Sequence, residues 1–490
     1  MKKINKILLL WIIACVGVTA SCSDFLNTSP TNSIPSDMIT TLADARRVAN
    51  GLYNRMKWDD LYGSTMLAMG ELRADDIRSR TEVSGYTAIY QYNFATNVNN
   101  YSGTWTRLYN ILLNANTLLN NVDGFPANGQ ADINIRNDIK GQALAVRAFC
   151  HFDIARMYGY PYQMDNGASL GAVIADGVIP QGEERHRATV KETYDFAIKD
   201  LNDALPLLSR ARNHGRFNYW AAKALLARVY LYMGDYNNAF LHADEIITTV
   251  GSTYTLIPTA DYVGSWARQN SSETLLELLV SIASNINDNN GVNAFFHIIN
   301  HEGNFPGSAI VPTRALIDLL EEDPNDVRRQ LIRVAAASGE TWIAKFPGNS
   351  ITPANNCMHN PVVLRLSEVY LIASEAALMK SAPDQGKANQ YLNAIRKRAN
   401  PNAPDITATV DEVLKERRKE LMGEGHRFFD LSRLGRMIDR SVGNVLPINS
   451  TYVVVNPWDK TSFFRVVLPL STAERQANPL AEQNPGYAQN

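Results

Sequence analysis

Two sets of side chains have types and spacing that suggest a reaction. Carboxylates are adjacent at Asp75 and Asp76, and His297 and His301 stand four residues apart. Paired acids can donate and accept protons, and histidines at i and i+4 share one helix face, where they can hold a divalent metal. Neither set is complete. Glycoside hydrolysis needs two carboxyls spaced across a cleft, which sequence neighbours seldom provide. No carboxylate stands at a standard offset between the histidines, and the zinc-protease pattern is absent. The stretch Asn285 to Gly291 is rich in oxygen ligands but lacks the acidic ladder and terminal Glu of a calcium loop, so it reads as a turn. Acids and bases also crowd Asp411 to Arg436, with no nucleophile, oxyanion donors or phosphate loop beside them. The residues point to binding without catalysis, and to no metal and no cofactor.

A different set suits recognition. Tyr86, Tyr90, Trp266, Phe296 and Trp342 are aromatic residues in irregular sequence, and Arg73, Asp75 and Asn97 are polar residues in the same kind of surroundings. A sugar ring has an apolar C–H face and a polar edge; a rigid aromatic covers the first, and guanidinium, carboxylate and amide groups reach the second. Trp266 leads this set, because its neighbours in YVGSWARQNSS are small or polar and leave little apolar sequence to bury an indole. Trp105, spaced with Leu108, Tyr109, Leu112 and Leu113, reads instead as core, and His151 as a locally hydrogen-bonded histidine.

Helices must position these residues. Tyr219 to Ile247 reads as two apolar-periodic helices meeting at Gly234-Asp235, with Leu226, Ala227 and Tyr230 set to interlock with Ala239, Ala243 and Ile246. That pairing resembles a tetratricopeptide unit, and such units need about three stacked copies for stability. Val363 to Ala399 repeats the pattern across Pro383-Asp384. Asp44 to Met56 with Trp105 to Val122, and Ile139 to Tyr158 with Glu192 to Leu208, are looser pairs separated by long insertions. The fold class expected is all-α dominated, a tetratricopeptide-like helical repeat scaffold with an irregular, loop-rich ligand face. Gly70 to Asn100 reads as loops and short strands, 251–361 as an insertion, and Phe463 to Leu470 as a strand-like run. On the stripe Val413, Arg417, Leu421, Glu424 and Phe428, the polar members Arg417 and Glu424 are expected to be partly buried and paired with each other.

The start of the chain carries an address. Lys2, Lys3 and Lys6 precede an apolar run from Ile7 to Val18, too short for a membrane span and suited to a cleaved export signal over 1–21. It ends in Thr19-Ala20-Ser21-Cys22, which resembles a lipoprotein cleavage site whose new terminal cysteine is acylated, although Thr19 departs from the usual leucine-like residue. Several acyl chains on Cys22 would hold the protein on a membrane. Residues 22–40 then form a tether and 41–490 a single domain, since no later Pro/Ser-rich linker divides the chain. Removing the signal takes away three lysines and no acids, moving the formal net charge from -2 to -5. Without a basic stripe, nucleic acid is excluded as a partner. Cys150 and Cys357 lie beside apolar helical sequence, where cysteine usually serves as a small hydrophobe.

Taken together, SCSDFL, WTRLYNILLNAN, VRAFCHFDIARMYGYPY, the Tyr219 to Ile247 pair, LRLSEVYLIASEAAL, ERRKELMGEGHRFFDLSRLG and NPLAEQNPGY resemble the SusD/RagB family of Bacteroidetes surface lipoproteins. The likeness spans nearly the whole chain. It implies a tetratricopeptide-like scaffold, a glycan ligand, a lipid anchor in the outer membrane, and a SusC-like TonB-dependent transporter as partner. One branch of the family implies peptides instead, and a secreted hydrolase stands as the third reading.

Overall fold

The computed structural model describes residues 39–79, 85–97, 99–280, 310–334, 341–347, 359–441 and 452–489. Eight long helices build one side: α1 (Leu42–Met56), α2 (Asn99–Val122), α3 (Gln130–Tyr158), α4 (Val190–Ala204), α5 (Tyr219–Met233), α6 (Tyr236–Thr249), α7 (Leu366–Met379) and α8 (Gln385–Ala399). They pack as α1/α2, α3/α4, α5/α6 and α7/α8, and neighbouring pairs join through α2 on α3, α4 on α5 and α6 on α7. The four pairs expected from the sequence are therefore present and exceed the minimum that a stacked array needs. Local signals set the boundaries. Thr41 with Asp44, and Thr189 with Glu192, form reciprocal capping boxes that satisfy the first free N–H groups of α1 and α4. Gly234, at φ 77°, ends α5 in the left-handed conformation, and Asp235 caps α6 immediately afterwards.

Small side chains let the helices close. Ala239, Ala243 and Ile246 of α6 are fully buried, as are Leu226 and Ala227 of α5. In the α3/α4 pair Gly159 lies against Val190 while Gly141 lies against Leu208, so the helices run antiparallel. Trp105 and His151 are interior, as expected. His151 Nδ1 faces the Arg147 carbonyl at 2.9 Å and its Nε2 accepts from the Ala175 N–H at 3.1 Å, which fixes one neutral tautomer. Burial lowers its pKa to about 4.

The other side is short and irregular. It holds α9 (Val410–Glu420), α10 (Arg427–Arg433) and two-stranded antiparallel ladders, among them Ile77–Ser79 with Ile310–Pro312 and Thr274–Glu277 with Val362–Arg365. One continuous core spans both sides.

Three local expectations are corrected. Gly70 to Asn100 holds a short strand, Ile77–Ser79, as read, but also a helix at Gly85–Tyr90, too short at under two turns to show a period. Phe463 to Leu470 forms a 3-10 turn at Phe464–Val466 and an unladdered buried segment, anchored where the Leu468 N–H donates to the Met157 carbonyl. The stripe from Val413 to Phe428 is not one helix, because α9 stops at Glu420 and Gly423 and Gly425, at φ 77° and 82°, turn the chain before α10.

Candidate functional site

The most individual sequence in the chain, MGEGHRFFDLSR, packs on GELRADD. Gly70 touches the backbone of Gly425 so closely that a Cβ there would lie 2.1 Å from the Gly425 carbonyl oxygen. Glu71 Oε1 accepts the Gly425 and His426 N–H groups at 2.7 and 3.2 Å. Burial and the neighbouring Asp76 push the Glu71 carboxyl up to about 8, against the pull of those two N–H donors.

Three residues expected at the ligand face pack into the fold instead. Arg73 is fully buried, donates to the Met69 and Val466 carbonyls at 2.8 and 2.9 Å, and lies 3.8 Å above the Phe428 ring. Asp75 takes two hydrogen bonds from Arg427, at 2.7 and 2.8 Å. Tyr90 is 1% exposed, with Arg440 over its ring at 4.4 Å and bonded to its carbonyl. All three hold the frame. Their irregular sequence context gave no hint of Phe428, Arg427 and Arg440, the remote residues that meet them.

Arg417 and Glu424 are both buried, as expected, but they are not paired with each other. The glycine turn separates them: Arg417 bonds Asp430 at 2.8 Å, while Glu424 bonds Lys345 and Arg365 at 2.5 and 2.7 Å. Glu424 belongs to a larger buried network centred on Glu420, which accepts from Arg365 at 2.6 Å, Arg328 at 3.0 Å, and Arg398.

Trp266 sits on this network. At 6% exposure it is enclosed, contrary to the exposed indole expected. Its few apolar neighbours in sequence are replaced in space by Tyr262 and Phe346, both edge-on, with the Lys345 ammonium 4.5 Å from the ring. Trp266 nevertheless forms one wall of a narrow pocket of about 20 Å³, whose other walls include Ser271, Glu273, Glu277, Asn360 and Arg365. Asn270 N–H donates to Glu277 at 2.8 Å, and burial raises the Glu277 carboxyl. Arg268 also lines the pocket, exposed, and its guanidinium has no ion-pair partner among the described residues. Sequence reasoning passed over Arg268, Ser271, Glu277 and Asn360, whose neighbours carry no periodic signal. The pocket offers one aromatic wall, hydroxyl, amide and carboxyl groups, and a cation; it lacks an activated nucleophile.

The remaining expected residues are scattered. Tyr86 is half-buried against the core, Asn97 is exposed, and Trp342 is half-buried with Arg333 5.9 Å from its ring. Phe296, His297, His301, Asn285 to Gly291, Cys22 and Cys357 lie outside the described residues. Cys150 is a buried free thiol. Among the described residues no cluster of His, Cys, Asp and Glu could hold a metal ion, and no helix is long and apolar enough to cross a membrane.

Known proteins share this fold. A SusD superfamily protein from Bacteroides vulgatus is 37% identical over 92% of this chain and 100% of its own, with a TM-score of 0.82. The chain belongs to the SusD family. The SusD family model matches residues 332–487, and a second model, described as starch-binding associating with outer membrane, matches 24–231. SusD-like protein P25 of Formosa agariphila is 25% identical over 94% of both chains. A laminarin-binding SusD-like protein, 22% identical over 91% of this chain and all of its own, shares the fold at a TM-score of 0.73. Members of the SusD family are non-catalytic binding proteins, which accords with the site's chemistry.

Proposed function

We propose that this SusD-family protein captures an oligosaccharide or polysaccharide at the cell surface and delivers it to a SusC-like TonB-dependent transporter, held to the outer membrane through acylated Cys22. The observation that carries the glycan reading is the Trp266 pocket, where an indole wall meets hydroxyl, amide and carboxyl groups, in a chain whose fold is shared with a laminarin-binding protein. So narrow a pocket admits a hydroxyl at the edge of a sugar and not a whole ring, and its polar lining can bond that edge. Trp266, Arg268, Ser271, Glu277 and Asn360 form the proposed contact set, and Tyr86, Asn97, Phe296 and Trp342 are proposed as further ligand-contacting residues. Arg73, Asp75 and Tyr90 serve the frame of the fold.

Affinity electrophoresis against a polysaccharide panel that includes laminarin, with peptides run in parallel, tests this reading. Arg268→Ala, at an exposed position, should weaken polysaccharide binding about tenfold with unchanged melting. Peptide binding without polysaccharide binding would favour the peptide branch and reject the glycan. Cys22→Ala should move the protein from the membrane to the soluble fraction; a variant that stays membrane-bound would reject the acyl anchor.

A further inference from the structure

A roomier groove, of opposite charge, lies apart from the narrow Trp266 pocket. The end of α1 and the His214-Gly215-Arg216 turn face each other across a cavity of about 240 Å³, with Leu279 also on its wall. Against about 30 Å³ for one water, that is space for a ring-sized ligand. The walls are fixed in place. Tyr53 of α1 accepts the Phe217 N–H at 3.0 Å, which ties the turn to the helix. Gly215, at φ 75°, lies against the Leu279 side chain with no room for a Cβ. Asn50, Asn54 and Lys57, at i, i+4 and i+7, share one face of the helix end, and Lys57 donates to the Leu279 carbonyl at 2.7 Å.

Charge narrows the occupant. Lys57, His214 and Arg216 line the groove, and no carboxylate does among the described residues, in a chain whose formal net charge is -2. Lys57 has a reason within the fold: it ends α1, where the helix dipole favours a cation, although burial lowers its pKa. Arg216 has no such reason. It is half-buried, yet it makes no hydrogen bond or ion pair with any described residue, whereas Arg228, Arg365 and Arg433 each hold carboxylates. A partly desolvated guanidinium is best complemented by a planar group of two or three oxygens.

The other walls describe the rest of the ligand. The exposed side-chain amides of Asn50 and Asn54 bond no described residue and can reach hydroxyls, while Leu279, 40% exposed, can meet a C–H face. The groove also shares supports with the Trp266 pocket. Arg212, two residues before His214, donates to the Asn270 carbonyl at 2.9 Å and to the carbonyl of Ser271, which lines that pocket.

We infer that this groove binds an acidic sugar residue of the glycan, with its carboxylate or sulfate held by Arg216 and Lys57; the inference rests on the glycan reading above. Ligand-observed NMR with methyl galacturonoside and galactose 6-sulfate, with methyl galactoside as neutral control, tests it; inorganic sulfate and triglutamate run in parallel. At least one acidic sugar should bind about tenfold more tightly than the neutral control, and its affinity should fall as salt rises from about 0.05 to about 0.5 M. The tighter of the two acids distinguishes carboxylate from sulfate. Asn54→Asp places a like charge on the exposed wall, and Arg216→Gln removes the guanidinium; each should weaken the acidic sugar about tenfold with unchanged melting. Equal binding of acidic and neutral sugars, no binding of either acid, tighter binding of sulfate ion or triglutamate than of the sugars, or unaltered acidic affinity in both variants would overturn the inference. If the wild-type protein still binds polysaccharide by electrophoresis, only the groove's assignment falls; if it binds none, the glycan reading falls with it.

Discussion

Glu420 is the point at which the irregular side can be taken apart with one atom. It is fully buried and accepts from Arg365 at 2.6 Å, Arg328 at 3.0 Å, the Tyr262 hydroxyl at 3.2 Å, and Arg398. Glu420→Gln keeps the shape and removes the charge. Breaking a buried ion pair from one side costs about 3 to 5 kcal/mol, because the partner is left desolvated and unpaired. The lower end applies, since Arg365 keeps Glu273 and Glu424, and Arg328 keeps Asp326 and Glu416. Arg398 fares worst, retaining Glu273 at 3.5 Å and the Ser367 hydroxyl at 3.4 Å. At roughly 2.1 cal/mol/K per residue over about 450 residues, the unfolding entropy is near 1 kcal/mol/K, so a loss of about 3 kcal/mol lowers Tm by about 3 °C. Acid adds a second signature. Burial alone would raise the Glu420 carboxyl, but Arg398, Arg365 and Arg328 hold it well below its ordinary value. A depressed folded pKa contributes stability above the unfolded pKa, about 4.3, and loses it as pH falls further. The variant should therefore lose less stability on acidification than the wild type. Thermal melts from neutral to acid pH measure both effects. A neutral-pH Tm within about 1 °C of wild type, or parallel acid curves, would refute the network's assigned role.

Two further outcomes follow from the Gly70–Gly425 contact. Glu71, pushed up to about 8 by burial, contributes stability below its unfolded pKa and loses it as pH rises through about 8. Glu71→Gln keeps an acceptor for the Gly425 and His426 N–H groups but cannot ionise, so its Tm advantage should grow from about pH 4.3 to about pH 8; curves that stay parallel would contradict the buried, protonated carboxyl. Gly70→Ala should lower Tm by several degrees, because its Cβ meets backbone and nothing flexible can yield. Gly51→Ala is the control: its Cβ meets only the Arg55 guanidinium, at 3.2 Å, and a helix interior favours alanine by about 1 kcal/mol. Equal melting of the two variants would remove the close approach as a constraint.

The scaffold was legible because its signals are local. A Gly234-Asp235 turn between two 3.6-residue patterns specifies a helix pair, and Ala239 and Ala243 show by size alone where the partner helix comes. The ligand face was less legible because its contacts are remote. Arg73 looks available in GELRADD, and only the return of the chain at Phe428 and Val466 buries it. Trp266 was singled out for its polar neighbours, and those neighbours do line a pocket: Arg268, Ser271 and Glu277 follow within eleven residues. What sequence could not supply was Phe346, Lys345 and Arg365, which close over the indole from elsewhere in the chain.

That closure explains why so much charge is buried on a protein that performs no reaction. Apolar side chains of similar volume would stabilise an interior as well as ion pairs do, so stability alone does not account for the network. Geometry does. A short segment without long helices has little to fix its position, and a guanidinium held by two or three carboxylates has very few acceptable orientations. Arg365 lies at the junction between the Val362–Arg365 strand and scaffold helix α7, and its bonds to Glu273, Glu420 and Glu424 fasten two separate segments to that helix: the lead into the Thr274–Glu277 strand, and the end of α9 with its glycine turn. Lys345, bonded to Glu424, carries the same constraint to the face of Trp266. The GEGHRFF segment, which looks most like catalytic sequence, lines none of the Trp266 pocket and reaches it only through Glu424, by setting where Arg365, Lys345 and the indole stand.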